Sequence, residues 1–116
     1  MNYLLLIYTE ESPTEAWTEA DGAAMTDAYR AFTESIAKSG VLVGGDALES
    51  IAMATTVRVR GDEVVVTDGP FAETKEQLGG YYLIDCADLD AAIEVASRVP
   101  GARTGSIEIR PIRSLS

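Results

Sequence analysis

Polar and apolar positions alternate along this chain with two periods, one of two residues and one of three to four. Residues 2–8 read as a strand that is apolar on both faces, with Tyr3, Leu5 and Ile7 on one side and Leu4, Leu6 and Tyr8 on the other. Ser12-Pro13-Thr14-Glu15 has the form of a capping box with proline at the first helical position, opening a short helical turn that carries Trp17. Asp21-Gly22 interrupts that turn. A main helix follows over residues 23–39, with an apolar stripe of Met25, Ala28, Tyr29, Phe32 and Ile36 and a stop at Gly40. Residues 41–47 form a second strand. Residues 55–60 and 63–67 form a hairpin around Gly61-Asp62, and the alternation of Val57 and Val59 with Arg58 and Arg60 leaves one of its faces wet. A strand over residues 81–85 comes next. Asp88 then caps a second helix with the stripe Leu89, Ala92, Ile93, Ala96 and Val99, ended by Pro100-Gly101, and a last strand covers residues 106–112.

The order is β-α-β, a β-hairpin insert, then β-α-β, an α+β plan of the ferredoxin-like βαββαβ type. Both helices of that plan cover one face of the sheet, yet the first strand is apolar on both faces and residues 81–84 nearly so. An uncovered apolar face of that extent exceeds what soluble monomers tolerate. A second copy of the same chain is the simplest cover, which predicts a homodimer in which two sheets pack face to face as a dimeric α+β barrel.

Length and charge narrow the function. At 116 residues the chain reads as one domain, with no internal repeat or linker. Its net charge of −10, from 9 basic and 19 acidic residues, is spread evenly and argues against nucleic-acid and anionic-lipid partners. The arginines Arg98, Arg103, Arg110 and Arg113 form a local exception, best read as solvated surface. The first apolar run is too short for a signal-peptide core, and no stretch approaches the ~20 apolar residues of a bilayer span. The single Cys86 suits a reducing cytoplasm. With no histidine and one cysteine, no transition-metal site is expected and no cofactor is implied.

The densest local signal is Asp68-Gly69-Pro70-Phe71-Ala72-Glu73-Thr74-Lys75-Glu76-Gln77-Leu78-Gly79-Gly80-Tyr81-Tyr82. Together with residues 3–8, Gly40-Val41-Leu42-Val43-Gly44-Gly45 and residues 106–112, it resembles the DGPF-domain proteins, a branch of the YCII-related superfamily. The resemblance covers nearly the whole chain and implies the dimeric α+β barrel. YCII-like proteins carry a histidine on the first helix that pairs with an aspartate as a proposed catalytic dyad. Counting back from the glycine that ends this helix, that position holds Tyr29 here, so a His-Asp dyad cannot operate. The resemblance also implies a regulatory setting, since DGPF-type proteins are often encoded beside extracytoplasmic-function sigma factors.

Six residues are the candidates for a cleft or ligand site: Tyr29, Asp46, Asp68, Glu73, Lys75 and Tyr82. In the Asp68-Gly69-Pro70-Phe71 turn, aspartate would accept from backbone amides, while phenylalanine would anchor the loop in the core. Glu73, Lys75 and Glu76 would form an ion-pair network able to hold a small ligand, or else stand as solvated charges. Tyr81 and Tyr82, adjacent on a strand, must point to opposite sheet faces. Asp46 follows Gly44-Gly45, a pair that reads as a bulge or strand end. The favoured expectation is a non-catalytic cytoplasmic homodimer that binds a small molecule or a regulatory protein partner. The alternative is a cofactor-independent enzyme of isomerase, lyase or monooxygenase type, with Asp68 or Glu73 as base and a tyrosine steadying negative charge.

Overall fold

The computed structural model describes residues 1–11 and 17–114. The helical turn expected to open at Ser12-Pro13-Thr14-Glu15 lies outside the described residues. Six strands and two helices follow in the order β1 (Asn2–Thr9), α1 (Glu19–Lys38), β2 (Leu42–Ala47), β3 (Thr55–Arg60), β4 (Glu63–Asp68), β5 (Gln77–Asp85), α2 (Leu89–Ser97) and β6 (Ser106–Pro111), with short 3₁₀ turns at Ile51–Met53 and Pro100–Arg103. Strands β2, β5, β1 and β6 make one antiparallel sheet in that spatial order, and β3 with β4 makes a separate hairpin. This is the ferredoxin-like α+β arrangement.

The double apolarity of β1 resolves into two environments. Tyr3, Leu5 and Ile7 lie under the helices and are buried with Phe32, Ile36, Ile84, Ala92, Val95, Ala96 and Val99. Leu4, Leu6 and Tyr8 alternate onto the opposite face and are only half-buried. On that face Leu4 stands opposite Leu83, and Leu6 opposite Tyr81. No helix of the described residues is long and apolar enough to cross a membrane.

Several boundaries differ from the sequence pattern. Helix α1 starts at Glu19 and runs straight through Asp21-Gly22. Asp21 is not a breaker, because it closes a capping box with Thr18: the Thr18 Oγ1 accepts from the Asp21 amide at 3.1 Å, and the Asp21 carboxylate accepts from the Thr18 amide at 3.0 Å. The cap satisfies two helix-end donors and outweighs the ~1 kcal/mol that glycine costs in a helix. Strand β5 begins at Gln77 rather than Tyr81, because Gly80 pairs in register with Ile7 and Ala47. In α2, capped by Asp88 Oδ1 on the Ala91 amide at 2.9 Å, the buried face is Ala92, Val95 and Ala96, continued by Val99 just past the helix end. Leu89 and Ile93 stand about half exposed instead. The glycine pair after Val43 does mark an irregularity, a register shift between Leu42 and Gly44.

The hairpin pairs fully, from Thr55 opposite Asp68 to Arg60 opposite Glu63. Its valine face is the more open of the two, since Val57, Val59, Val64 and Val66 are all well exposed while Arg58 and Thr56 on the other face are half-buried. The chain is correspondingly extended, with a radius of gyration of 16.2 Å against about 13 Å for a compact chain of this length. It forms a plate of 47 × 47 × 19 Å. Phe71, expected as a core anchor, is 77% exposed, in the loop that leaves the base of the hairpin, where its carbonyl accepts from Arg58.

Candidate functional site

The site arises from an uneven fit between α1 and the sheet. The second half of α1 seats Phe32 and Ile36 in the core, but Met25 and Tyr29 in its first half are only partly buried. Opposite them the strands carry Gly45, Gly79 and Gly80, which have no side chains to fill the gap. A cavity of about 610 Å³ remains, lined by Tyr29, Thr33, Tyr82 and these glycines among others. That volume lies within the ~300–1,000 Å³ of small-ligand sites.

Three hydroxyl groups, at two sites, anchor the walls. The Tyr29 hydroxyl accepts a hydrogen bond from the Gly101 amide at 3.1 Å. Burial pushes its pKa above the usual tyrosine value, and the bond from Gly101 partly offsets this. It therefore stays a neutral O–H at ordinary pH, and among the described residues no acceptor takes its proton. The Tyr82 and Thr33 hydroxyls share a hydrogen bond of 2.7 Å, in which either can donate. Whichever does, the pair retains one O–H proton for a further acceptor. The Tyr82 ring also meets Phe32 edge-on at 5.3 Å.

Glycine is required at two places in this wall. A Cβ on Gly45 would sit 2.8 Å from Tyr82 Cδ1 and 2.7 Å from the Tyr81 carbonyl oxygen. A Cβ on Gly101 would sit 2.6 Å from the Tyr29 hydroxyl. The two glycines let the Tyr82 ring edge and the Tyr29 hydroxyl come close to backbone. Glu10 and Trp17, both partly exposed, also line it, and among the described residues no lysine or arginine does.

Of the six candidates, the structure brings three to this cavity: Tyr29, Tyr82 and Asp46. Asp46 borders it, and its carboxylate accepts from the Tyr81 hydroxyl at 2.6 Å, which raises the Tyr81 pKa. Asp46 and Tyr81 are cross-strand partners, one step out of phase with Gly45 and Tyr82, so their side chains leave from the other sheet face. The opposed directions expected for Tyr81 and Tyr82 are thus seen.

Asp68, Glu73 and Lys75 are not brought to the cavity. Asp68 stands exposed at the end of β4, and among the described residues no donor reaches its carboxylate, contrary to the expected turn bond. The turn is held instead by the Gly69 amide on the Ala54 carbonyl at 2.7 Å and by the Thr56 hydroxyl on the Gly69 carbonyl at 2.8 Å. The expected network of Glu73, Lys75 and Glu76 does not form, because the loop is pinned so that the three diverge. The Gln77 side-chain amide donates to the Thr74 carbonyl at 2.6 Å, and Glu76 accepts from the Ser106 hydroxyl at 2.8 Å. Lys75, 88% exposed, pairs with Glu10 at 3.7 Å. Its only link to the cavity is therefore indirect. Sequence reasoning missed Thr33, Glu10 and Gly101. The i, i+4 spacing of Tyr29 and Thr33 on one helix face was the available signal for the first.

Among the described residues no three histidine, cysteine, aspartate or glutamate side chains converge as metal ligands. Cys86 is half-buried; desolvation raises its thiol pKa, and its sulfur lies 3.6 Å from the Asp88 carbonyl. That is the setting of an unreactive thiol.

Sheet order, helix placement and a hydroxyl-walled cavity define a ferredoxin-like α+β protein with room for a small molecule. Comparison with protein families then gives one match over residues 1–116, to the YCII-related domain. The chain belongs to the YCII-related family. It is also 41% identical over 114 residues to the uncharacterized protein R00369 of Rhizobium meliloti (strain 1021), covering 97% of this chain and 92% of that one.

Proposed function

We propose that this chain is a non-catalytic, homodimeric binding protein whose cavity beneath α1 takes a small, uncharged organic ligand. The observation that carries the reading is the pair of hydroxyl sites, Tyr29 and Tyr82–Thr33, each with a proton to donate into a largely apolar space. Two donors select a ligand with acceptors such as carbonyl or ether oxygens. Among the described residues no lysine or arginine lines the cavity, and in a chain of net charge −10 an anion there would lack a counter-charge. The homodimer rests on the open sheet face, where Leu4, Leu6 and Leu83 cluster half-exposed with no helix above them. Exposure of Asp68, Glu73 and Lys75 supports an accessory role in which the signature loop contacts a protein partner rather than a substrate. A cytoplasmic setting fits the single half-buried thiol.

A cofactor-independent enzyme is the second reading, favoured by the 2.6 Å Asp46–Tyr81 contact. In that reading Asp46 replaces Asp68 and Glu73 as the carboxylate of interest, since both of those stand in solvent.

The binding reading is tested with prodan, a neutral naphthyl ketone whose carbonyl can accept from Tyr29, titrated against the protein and followed by its own emission. Saturable one-site binding is expected. Tyr29→Phe should weaken it about 5–10-fold, the worth of one hydrogen bond of ~1 kcal/mol. Unsaturable partitioning, or equal affinity for parent and variant, would remove the basis for the assignment.

A further inference from the structure

The β3–β4 hairpin is formed as though something packed upon it, yet nothing described in the chain does. Its six cross-strand pairs are complete, although a lone two-stranded hairpin is marginal in water. Apart from pairing within itself, its hydrogen bonds go to its own base, to Ala54, Gly69 and Phe71. Pleat alternation gathers Val57, Val59, Val64 and Val66 on one face, where they are 58–66% exposed. Together these four side chains open on the order of 400 Å² of apolar surface to solvent, the size of the largest patch on a typical monomer.

We propose that this hairpin is an arm that reaches to a second copy of this chain and lays its valine face on it. The inference rests on the homodimer reading above and adds the element that clasps it. Charge favours a second copy as occupant. The hairpin, residues 55–68, carries two arginines (Arg58, Arg60) against three acids (Asp62, Glu63, Asp68), so 2 − 3 = −1 in a chain whose total is −10. Two strongly acidic copies repel over most of their surface, and the arm, close to neutral with Asp62 at its tip, is where they can meet with little like-charge repulsion. Area favours it too. A two-fold contact uses each arm once from either side, so two arms supply about half of the ~1,600 Å² of a standard interface, and the half-buried Leu4, Leu6 and Leu83 faces can supply the remainder. Arm and open sheet face are both unpartnered on the same molecule, and one symmetry operation covers both.

The test compares three proteins by sedimentation velocity over a range of micromolar concentrations. The arm variant is Val59→Lys/Val64→Glu, which places opposite charges on a directly paired position, keeping the hairpin paired while making the face polar. The sheet variant is Leu4→Asp/Leu6→Asp. The unmodified chain should be a dimer, and the arm variant should dissociate about 100-fold more readily with its circular dichroism unchanged. A dimeric parent with an arm variant that associates as tightly overturns the arm and leaves the sheet-face dimer standing. A monomeric parent overturns both. Should the arm variant fold poorly, hydrogen exchange on the unmodified protein decides: protection of the cross-strand amides of Arg58, Arg60, Glu63 and Val65 must rise with protein concentration, and concentration-independent exchange refutes the clasp.

Discussion

Replacing Gly101 with alanine should tighten the cavity wall against Tyr29 in a measurable way. The added Cβ would lie 2.6 Å from the Tyr29 hydroxyl and 3.3 Å from Ile7 Cγ2, so one of these groups must move by more than half an ångström. Overpacking of this kind costs about 1–3 kcal/mol. Loss of glycine's freedom in the unfolded chain returns roughly 0.4–1 kcal/mol. The net expectation is a destabilisation of about 0.5–2 kcal/mol, or roughly 2–8 °C in Tm for a chain of this length. Tyr29→Phe alone should also destabilise, by about 1–3 kcal/mol, because the buried Gly101 amide loses its acceptor. The informative protein is the double variant. Removing the hydroxyl removes the clash, so Gly101→Ala should cost at least about 1 kcal/mol less in the phenylalanine background than in the parent. Melts by circular dichroism on the four proteins give the cycle. If the two changes add to within about 0.5 kcal/mol, or if Gly101→Ala alone melts at or above the parent, then Tyr29 is not seated on the Pro100–Arg103 turn and the cavity wall has been drawn wrongly.

Two further outcomes are expected. The Asp46 carboxylate favours the neutral form of Tyr81 and raises its pKa above 10.0, so in a near-ultraviolet titration Tyr81 should ionise later than an exposed tyrosine. That stabilising contact is present in full below the unfolded value and is lost as pH rises through the folded one; Asp46→Asn should bring the ionisation back toward 10.0, and an unmoved curve would contradict the pairing. In the signature loop, Lys75→Ala and Asp68→Ala should each change stability by about 0.5 kcal/mol or less, the first because its ion pair is exposed and the second because its carboxylate holds no donor. A loss of several degrees on thermal melting of Asp68→Ala would restore the turn bond that the structure lacks.

The elements legible in the sequence are those fixed by local chemistry. Gly61-Asp62 between alternating valines specifies the hairpin, and Asp88 specifies the start of α2. The start of α1 was misplaced because Asp21-Gly22 looks like a break to any reading of propensity, while Asp21 closes a capping box with Thr18. Strand β5 was read short for a related reason: glycines weaken a strand pattern, but here they pair with strands on both sides. The cavity was legible only in part: Tyr29, Asp46 and Tyr82 are among the residues the sequence marks out, but the gap between them is not. It exists because Met25 and Tyr29 face Gly45, Gly79 and Gly80 across the fold, and a gap between residues far apart in sequence leaves no periodic trace. Conversely, the DGPF segment is dense in charge, yet Asp68, Glu73 and Lys75 stand exposed and Glu76 is taken up by Ser106.

Helix α1 is held by two unlike halves. Its last turns carry Phe32 and Ile36 into the core, while its first turns hang over the cavity, secured by the Thr18 cap and the Tyr29 hydroxyl. Local opening free energy follows buried contact, so it must fall steeply from one end of the helix to the other. The first turns can therefore fray and re-form many times while the rest of the domain stays folded. A molecule beneath them would lose part of its wall whenever those turns open, so the capping box at the helix start would bear on its residence time together with the groups that touch it.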